Sequence, residues 1–388
     1  MKKRFLCLTL VIITIMSFNI NLASAKTTAQ PLTITSKSAV LMDWSTGEVL
    51  FEKNMHEQLP PASVTKIMTM LLAMEALDSG KITLADTVVV SERASHMGGT
   101  QLYIEPGEVK TVEDLMKGIA IRSANDACVA MAEFISGSEE AFVQKMNEKA
   151  KELGMKNTNF LNTNGLPADG HVTTAFDIAL MSRELLKHKD ITVWLTTWMD
   201  SVDVGIKKQS TQQLVNTNKL LRTYQGINGI KTGFTQAAMH CLSASATRGN
   251  NTFIAVVLGA PGSDVRFSEA SKLLDYGFAN YNTVEILTKK TGIADVPIQK
   301  GKIPTIKGVP AEDVYVLVKK GQEQQVEKEI KINKVSAPLK KGDVIGQVIV
   351  KLEGKEINRV DIVTDEVVER LSVFTALSKM FRGMTGTK

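Results

Sequence analysis

The chain of 388 residues is too long for one typical domain and implies two. Its 44% hydrophobic content is enough for ordinary cores and excludes a disordered protein. Lys and Arg exceed Asp and Glu by five, and three of those positives (Lys2, Lys3 and Arg4) sit in a segment read below as removable, so the balance argues against nucleic-acid binding.

Met1-Lys2-Lys3-Arg4 precedes an apolar run from Phe5 to Phe18, which ends near Ala23-Ser24-Ala25. A basic start, a short apolar core and a small-x-small ending are the parts of a secretory signal. Residues 1–25 are therefore expected to be cleaved and the remainder exported. The run is shorter than the ~20 residues of a spanning helix, though an uncleaved anchor is the alternative. Cys7 leaves with this segment; Cys128 and Cys241 either pair or stand as separate buried thiols, since each has apolar neighbours. The histidines are scattered, with no His-Glu-x-x-His and no Cys-x-x-Cys, so neither a metal nor another cofactor is expected.

Ser38–Asp43 and Glu48–Phe51 flank Ser45-Thr46-Gly47, a hairpin pattern. Pro60-Pro61 then opens a helix whose apolar run, Ile67–Met74, reads as buried and ends near Ser79-Gly80. Val88–Val90 predicts a short strand, and Thr111 with Asp114 a capped helix over Val112–Ile121. Arg122-Ser123-Ala124-Asn125-Asp126 interrupts the helical pattern as a turn expected to expose its side chains, before a helix over Ala127–Ile135. Helices are predicted over Ser138–Leu153, from Thr173 to Leu186, and over Ser268–Tyr276, with a loop through Asn159–Pro167. Gly226–Thr235, Cys241–Ala246 and Phe253–Gly259 read as consecutive antiparallel strands. Helices in the middle and strands at both ends imply an α+β domain over residues 26–283.

From 284 to 364, strand-like pieces (Val314–Val318, Val326–Ile332, Val348–Leu352, Arg359–Val363) alternate with Gly and Lys turns, which predicts a small all-β domain. Over 365–388, Val367, Leu371, Phe374, Leu377, Phe381 and Met384 recur at steps of three or four with basic residues between them. That stripe predicts an amphipathic helix lying on a membrane surface, or one packed on its own domain.

Three motifs stand in order: Ser63-x-x-Lys66, Ser123-Ala124-Asn125 and Lys231-Thr232-Gly233. A hydroxyl three residues before an amine places a nucleophile beside a base. A lone Ser-x-x-Lys is weak evidence, since a serine helix cap and a surface lysine explain most such strings. An unperturbed lysine is neutral well under 0.1% of the time at pH 7, so Lys66 can serve as base only if burial or a second cation such as Lys231 lowers its pKa. Gly233 lets a substrate backbone lie against its strand. A second Lys-Thr-Gly, Lys290-Thr291-Gly292, is not followed by two apolar strands and is taken as coincidental.

The triple resembles the penicillin-binding-protein and class A β-lactamase superfamily, most closely the low-molecular-mass D-alanyl-D-alanine carboxypeptidases. Wider wording carries the likeness from about residue 38 to the C-terminus: Asp43…Thr46-Gly47, Pro61-Ala62-Ser63, Asp126-Ala127, His171-x-Thr173-Thr174-Ala175-x-Asp177 and Thr235. The resemblance implies that catalytic fold, with an antiparallel sheet and a helical subdomain, followed by the β domain and terminal helix. It implies a serine carboxypeptidase acting on peptidoglycan stem peptides, acylated by β-lactams, with roles in cell-wall biogenesis and cell shape. It implies attachment to the outer face of the cytoplasmic membrane.

By the same resemblance Ser63 is the acylated nucleophile, Lys66 the base, Ser123 a proton relay, and Asn125 an orienting amide. Lys231 and Thr232, with Arg266, bind the terminal carboxylate, and the Ser63 and Phe234 N–H groups form the oxyanion hole. The chain departs from common wording at Ala124, Phe234 and Ala237-Ala238. A class A β-lactamase is the second reading, but such enzymes use a loop glutamate where this chain has Asn159-Phe160-Leu161-Asn162. An idle penicillin sensor or wall-binding protein is the third.

Overall fold

The computed structural model describes residues 32–372 and Thr375. The expected signal segment and most of the expected terminal helix lie outside the described residues.

Strands β1 (Ser38–Asp43) and β2 (Val49–Lys53) form the expected hairpin. Its turn is closed by Asp43, whose Oδ2 accepts from Thr46 N at 2.7 Å and Thr46 Oγ1 at 2.8 Å. Helix α1 (Lys66–Asp78) is buried on every side from Lys66 to Met74, as a helix with no continuous polar face must be. Helix α2 (Val112–Lys117) begins at the Thr111–Asp114 capping box; a π-helical turn over Gly118–Arg122 replaces its expected last turn. Helices α3 (Asn125–Ser136), α4 (Glu139–Glu152) and α5 (Ala175–Leu185) follow. Ser138 and Thr174 cap the last two by accepting from Ala141 N at 3.1 Å and Asp177 N at 3.0 Å.

Strands β3 (Ile227–Thr235), β4 (Met239–Arg248) and β5 (Asn251–Ala260) complete a five-stranded antiparallel sheet in the order β2-β1-β5-β4-β3. Helix α6 runs Ser263–Asn280, longer than its sequence pattern suggested. Alternate residues of β5 face opposite sides. Ile254, Val256 and Leu258 join the core built with α1 and α5, while Phe253 meets Phe278 of α6 edge-on at 5.0 Å. Both faces are covered, which is why β5 reads as an unbroken apolar run. A short hairpin, Met199–Val204 with Ser210–Val215, has no counterpart in the sequence reading.

After α6, the strand Tyr281–Leu287 spans the expected boundary at 283 and 284 and pairs with Val314–Lys319. A six-stranded sheet follows, with the long strands Val326–Ile332, Val344–Leu352 and Lys355–Thr364 adjacent and in that order. Val296, Ile345, Val348 and Ile362 centre its core. The helix predicted from Asp365 is corrected over 365–372: Val368 bridges Leu339 and Arg370 bridges Gly301 in extended backbone. Val368 is buried in the β core while its neighbour Val367 is 68% exposed. Opposite faces for adjacent residues are strand behaviour, and the apolar spacing of this stretch serves that alternation.

Candidate active site

Ser63 sits in a 3₁₀ turn, Ala62–Thr65, just before α1 rather than inside it. Ala62 holds left-handed backbone at φ 51°. Thr65 Oγ1 lies 2.9 Å from both Ala62 O and His171 Nε2, and Leu161 N donates to His171 Nδ1 at 2.9 Å. Since Nδ1 accepts, the ring proton is on Nε2 and points to Thr65, whose own proton goes to Ala62 O. Burial pushes His171 down to about 4, so this prop is neutral at neutral pH. His171 entered the sequence reading only as family wording; the prop under the nucleophile turn is visible only in space.

Lys66 Nζ contacts Asn125 Oδ1 at 2.7 Å, Asn164 O at 2.7 Å and Ser63 Oγ at 3.2 Å. Two of these are pure acceptors and claim two N–H bonds. In the neutral amine the lone pair is therefore left facing the Ser63 hydroxyl. The lysine is fully buried, and burial lowers it to about 8 against the opposing pull of Cys128 and Asp126. At pH 7 that leaves about a tenth of the molecules with a neutral amine, about three hundredfold more than an ordinary lysine provides.

The Ser123 turn has its residue in left-handed backbone, φ 68° and ψ 37°. Its side chains do not face bulk solvent as predicted: Ser123, Asn125 and Asp126 are all buried. Asn125 Nδ2 donates to Gly98 O at 2.6 Å, which turns Oδ1 toward Lys66. Asp126 accepts from Leu102 N at 3.0 Å and Tyr103 N at 2.9 Å, pinning the loop that supplies Gly98. The Ser123 hydroxyl has no protein partner among the described residues and remains available to a ligand.

Strand β3 lies directly against the Ser63 turn. A Cβ on Gly233 would stand 3.0 Å from Ser63 N and 3.2 Å from Pro61 O, so any larger residue would press on the Ser63 turn. Lys231 is buried and held well below the ordinary lysine range by burial first, then by repulsion from Lys66 and Arg266. The two lysines repel each other, and burial is the largest cause lowering each. Thr232 Oγ1 pairs with Thr217 Oγ1 at 2.5 Å. Arg266, at the start of α6, sends Nη1 to Gly233 O at 2.9 Å and Cys241 O at 3.3 Å, and its buried Nε has no partner among the described residues. Phe234 is exposed and stacks on His240 with centroids 4.5 Å apart. The three motifs thus meet in one cleft, while Lys290-Thr291-Gly292 lies beyond the strand Tyr281–Leu287. Cys128 and Cys241 are separate buried thiols, and burial pushes them up to about 12 and about 11. Among the described residues no group of His, Cys, Asp and Glu is disposed to hold a metal ion.

A hydroxyl set against a buried amine of lowered pKa defines a serine acyl-transfer site. The family described as D-alanyl-D-alanine carboxypeptidase, peptidase S11, matches residues 24–262, and the penicillin-binding protein 5 C-terminal domain matches 281–370. The chain belongs to the peptidase S11 family. It is 46% identical over 355 residues to D-alanyl-D-alanine carboxypeptidase DacF of Bacillus subtilis, covering 91% of each chain. It is 33% identical to DacA of Escherichia coli (strain K12), covering 87% of this chain and 84% of that one. Among solved structures, penicillin binding protein 5 from Haemophilus influenzae superposes with a TM-score of 0.74 at 32% identity, over 88% of this chain and 99% of that one. Penicillin-binding protein D2 from Listeria monocytogenes, in an ampicillin-bound form, gives a TM-score of 0.57 at 31% identity, over 64% and 100%.

Proposed function

We propose that the protein is a serine D-alanyl-D-alanine carboxypeptidase that trims the terminal D-Ala from peptidoglycan stem peptides. The observation that carries the reading is the amine of Lys66 on the Ser63 hydroxyl, with its other two contacts filled by carbonyl oxygens.

The neutral Lys66 takes the Ser63 proton as Oγ attacks the penultimate D-Ala carbonyl carbon. The oxygen that gains charge meets the Ser63 and Phe234 amides, and each such donor is worth ~3 kcal/mol at the transition state. Ser123 hands its proton to the departing amine as the C–N bond breaks and takes in its place the proton Lys66 received from Ser63, which leaves Lys66 neutral again. Water then attacks the ester, gives its proton to Lys66, and the acid leaves as Ser63 is restored. The terminal carboxylate of the substrate sits near Lys231, Thr232 and Arg266. Its negative charge favours the protonated form of Lys231, against burial and the repulsion of Lys66 and Arg266. Penicillin acylates the same serine.

The reading extends to export after cleavage at Ala25, to domains at 26–283 and 284–364, and to peripheral attachment at the outer face of the cytoplasmic membrane. The support is in the sequence: the basic-then-apolar N-terminus, and Phe374, Leu377, Phe381 and Met384 with interspersed cations beyond residue 372.

The assay is D-Ala release from an N-acyl-Lys-D-Ala-D-Ala peptide. Release by the wild type and none by Ser63→Ala is the expected result. Fast hydrolysis of penicillin with no D-Ala release would contradict the reading in favour of a β-lactamase.

A further inference from the structure

Between the strand that ends at Val215 and a short helix over Leu220–Thr223, the chain runs Asn216-Thr217-Asn218. Asn216 and Asn218 are buried, and Thr217 between them is exposed. Asn216 N donates to Trp198 O at 2.8 Å, and its Nδ2 donates to Thr197 O at 3.0 Å. Its Oδ1 accepts from Asn218 N at 2.9 Å, and Asn218 Oδ1 accepts from Leu220 N at 3.2 Å. These bonds fix the backbone on both sides of Thr217. The Thr217 hydroxyl lies on Thr232 Oγ1 at 2.5 Å and has no other partner among the described residues.

That separation is at the short end for two hydroxyls, so one proton lies between the oxygens. The threonine that supplies it decides what Thr232 offers a ligand. If Thr232 donates to Thr217, only a lone pair of Thr232 is left for the ligand. If Thr217 donates, the Thr232 proton is free. A carboxylate only accepts, so an anion beside Thr232 requires Thr217 to donate to Thr232 and Thr232 to the anion. Each donor in such a chain polarises the next and strengthens the last bond. The two cations of the site do not set this direction. Lys231 Nζ and Arg266 Nη1 reach backbone carbonyls, Thr232 O at 3.3 Å and Gly233 O at 2.9 Å, and leave the Thr232 hydroxyl to Thr217.

We infer that Thr217 is a positioning residue for acyl transfer: it donates to Thr232 and so turns the Thr232 proton toward the terminal carboxylate of the substrate. The assignment rests on the carboxypeptidase reading above and adds a residue outside the three motifs.

The test is the second-order rate constant for acylation by benzylpenicillin and by its methyl ester, which has no carboxylate. Thr217→Val keeps the shape of the side chain and removes the donor. Acylation by the free acid should fall about fivefold, the size of one ordinary hydrogen bond, while acylation by the ester stays within about twofold. Thr217→Ser keeps the hydroxyl and should restore the rate with the free acid. In a Thr232→Val background, Thr217→Val should have no further effect, because the relay is already broken. Thr217 is exposed and makes one side-chain hydrogen bond, so these substitutions leave the fold intact. No loss with the free acid, equal losses with acid and ester, failure of Thr217→Ser to restore the rate, or a loss that persists beside Thr232→Val each overturns the relay while wild-type D-Ala release continues. A wild type that is neither acylated nor able to release D-Ala overturns the carboxypeptidase reading, and the assignment falls with it.

Discussion

Replacing Lys66 by methionine should slow acylation of Ser63 by penicillin about a thousandfold, the usual contribution of a positioned general base. The protein should still fold. Lys66 is lowered from 10.5 to about 8 in the folded protein. Below pH 8 the unfolded chain therefore binds the proton more tightly, and the buried lysine weakens the fold by about 3 kcal/mol; the penalty fades between pH 8 and 10.5. Methionine removes that penalty at neutral pH. It also strips Asn125 Oδ1 and Asn164 O of their donor, at about 1–3 kcal/mol each. The two effects are of similar size and opposite sign. Stopped-flow acylation and a urea midpoint at pH 7 check both halves: a large rate loss with a midpoint close to the wild type is expected.

The second large effect is expected at Gly165, in the loop that faces the nucleophile turn. Its φ is +89°, and a Cβ there would fall 1.8 Å from Ala62 O and 2.3 Å from Ala62 C. Both atoms are backbone, so no side chain can swing aside. Gly165→Ala must move the loop, the Ser63 turn, or both. The same loop presents Asn164 O to Lys66 at 2.7 Å, so the displacement reaches the base and the nucleophile together. A misplacement of 1 Å costs about a hundredfold in rate. Left-handed strain and the clash together should lower stability by roughly 2–4 kcal/mol. A variant with wild-type urea midpoint and acylation rate would show that the loop does not buttress the site.

Much of the site was legible in the sequence because the groups that do chemistry are side chains at fixed spacings. Ser63, Lys66, Ser123, Asn125 and Lys231 could be picked out in that way, and they meet in one cleft. The supports could not. Asn164 acts through its carbonyl, which every residue has, and the left-handed turns at Ala62 and Ser123 carry no glycine to announce them. Asp126 reads as one more polar residue in a turn, yet it collects the amides of Leu102 and Tyr103.

The fold shows the same division. The sheet strands β4 and β5 are covered on both faces and stand out as apolar runs. The hairpin Met199–Val204 and Ser210–Val215 is half exposed, and Asp200, Ser201, Gln212 and Gln213 dilute its alternation below notice. At 365–372 the apolar spacing suits a helix, but backbone pairing to Leu339 and Gly301 decides for extended chain.

Acylation depends most on a buried Lys66 amine that loses its proton near pH 8 and then takes the one on Ser63. The pH dependence of the acylation rate constant with benzylpenicillin tests this most directly. The rate should rise about tenfold per pH unit from pH 6 and level off above pH 8 or so, as the neutral amine fills. A rate that stays flat from pH 6 to 9, or that falls as the pH rises through 8, would contradict it.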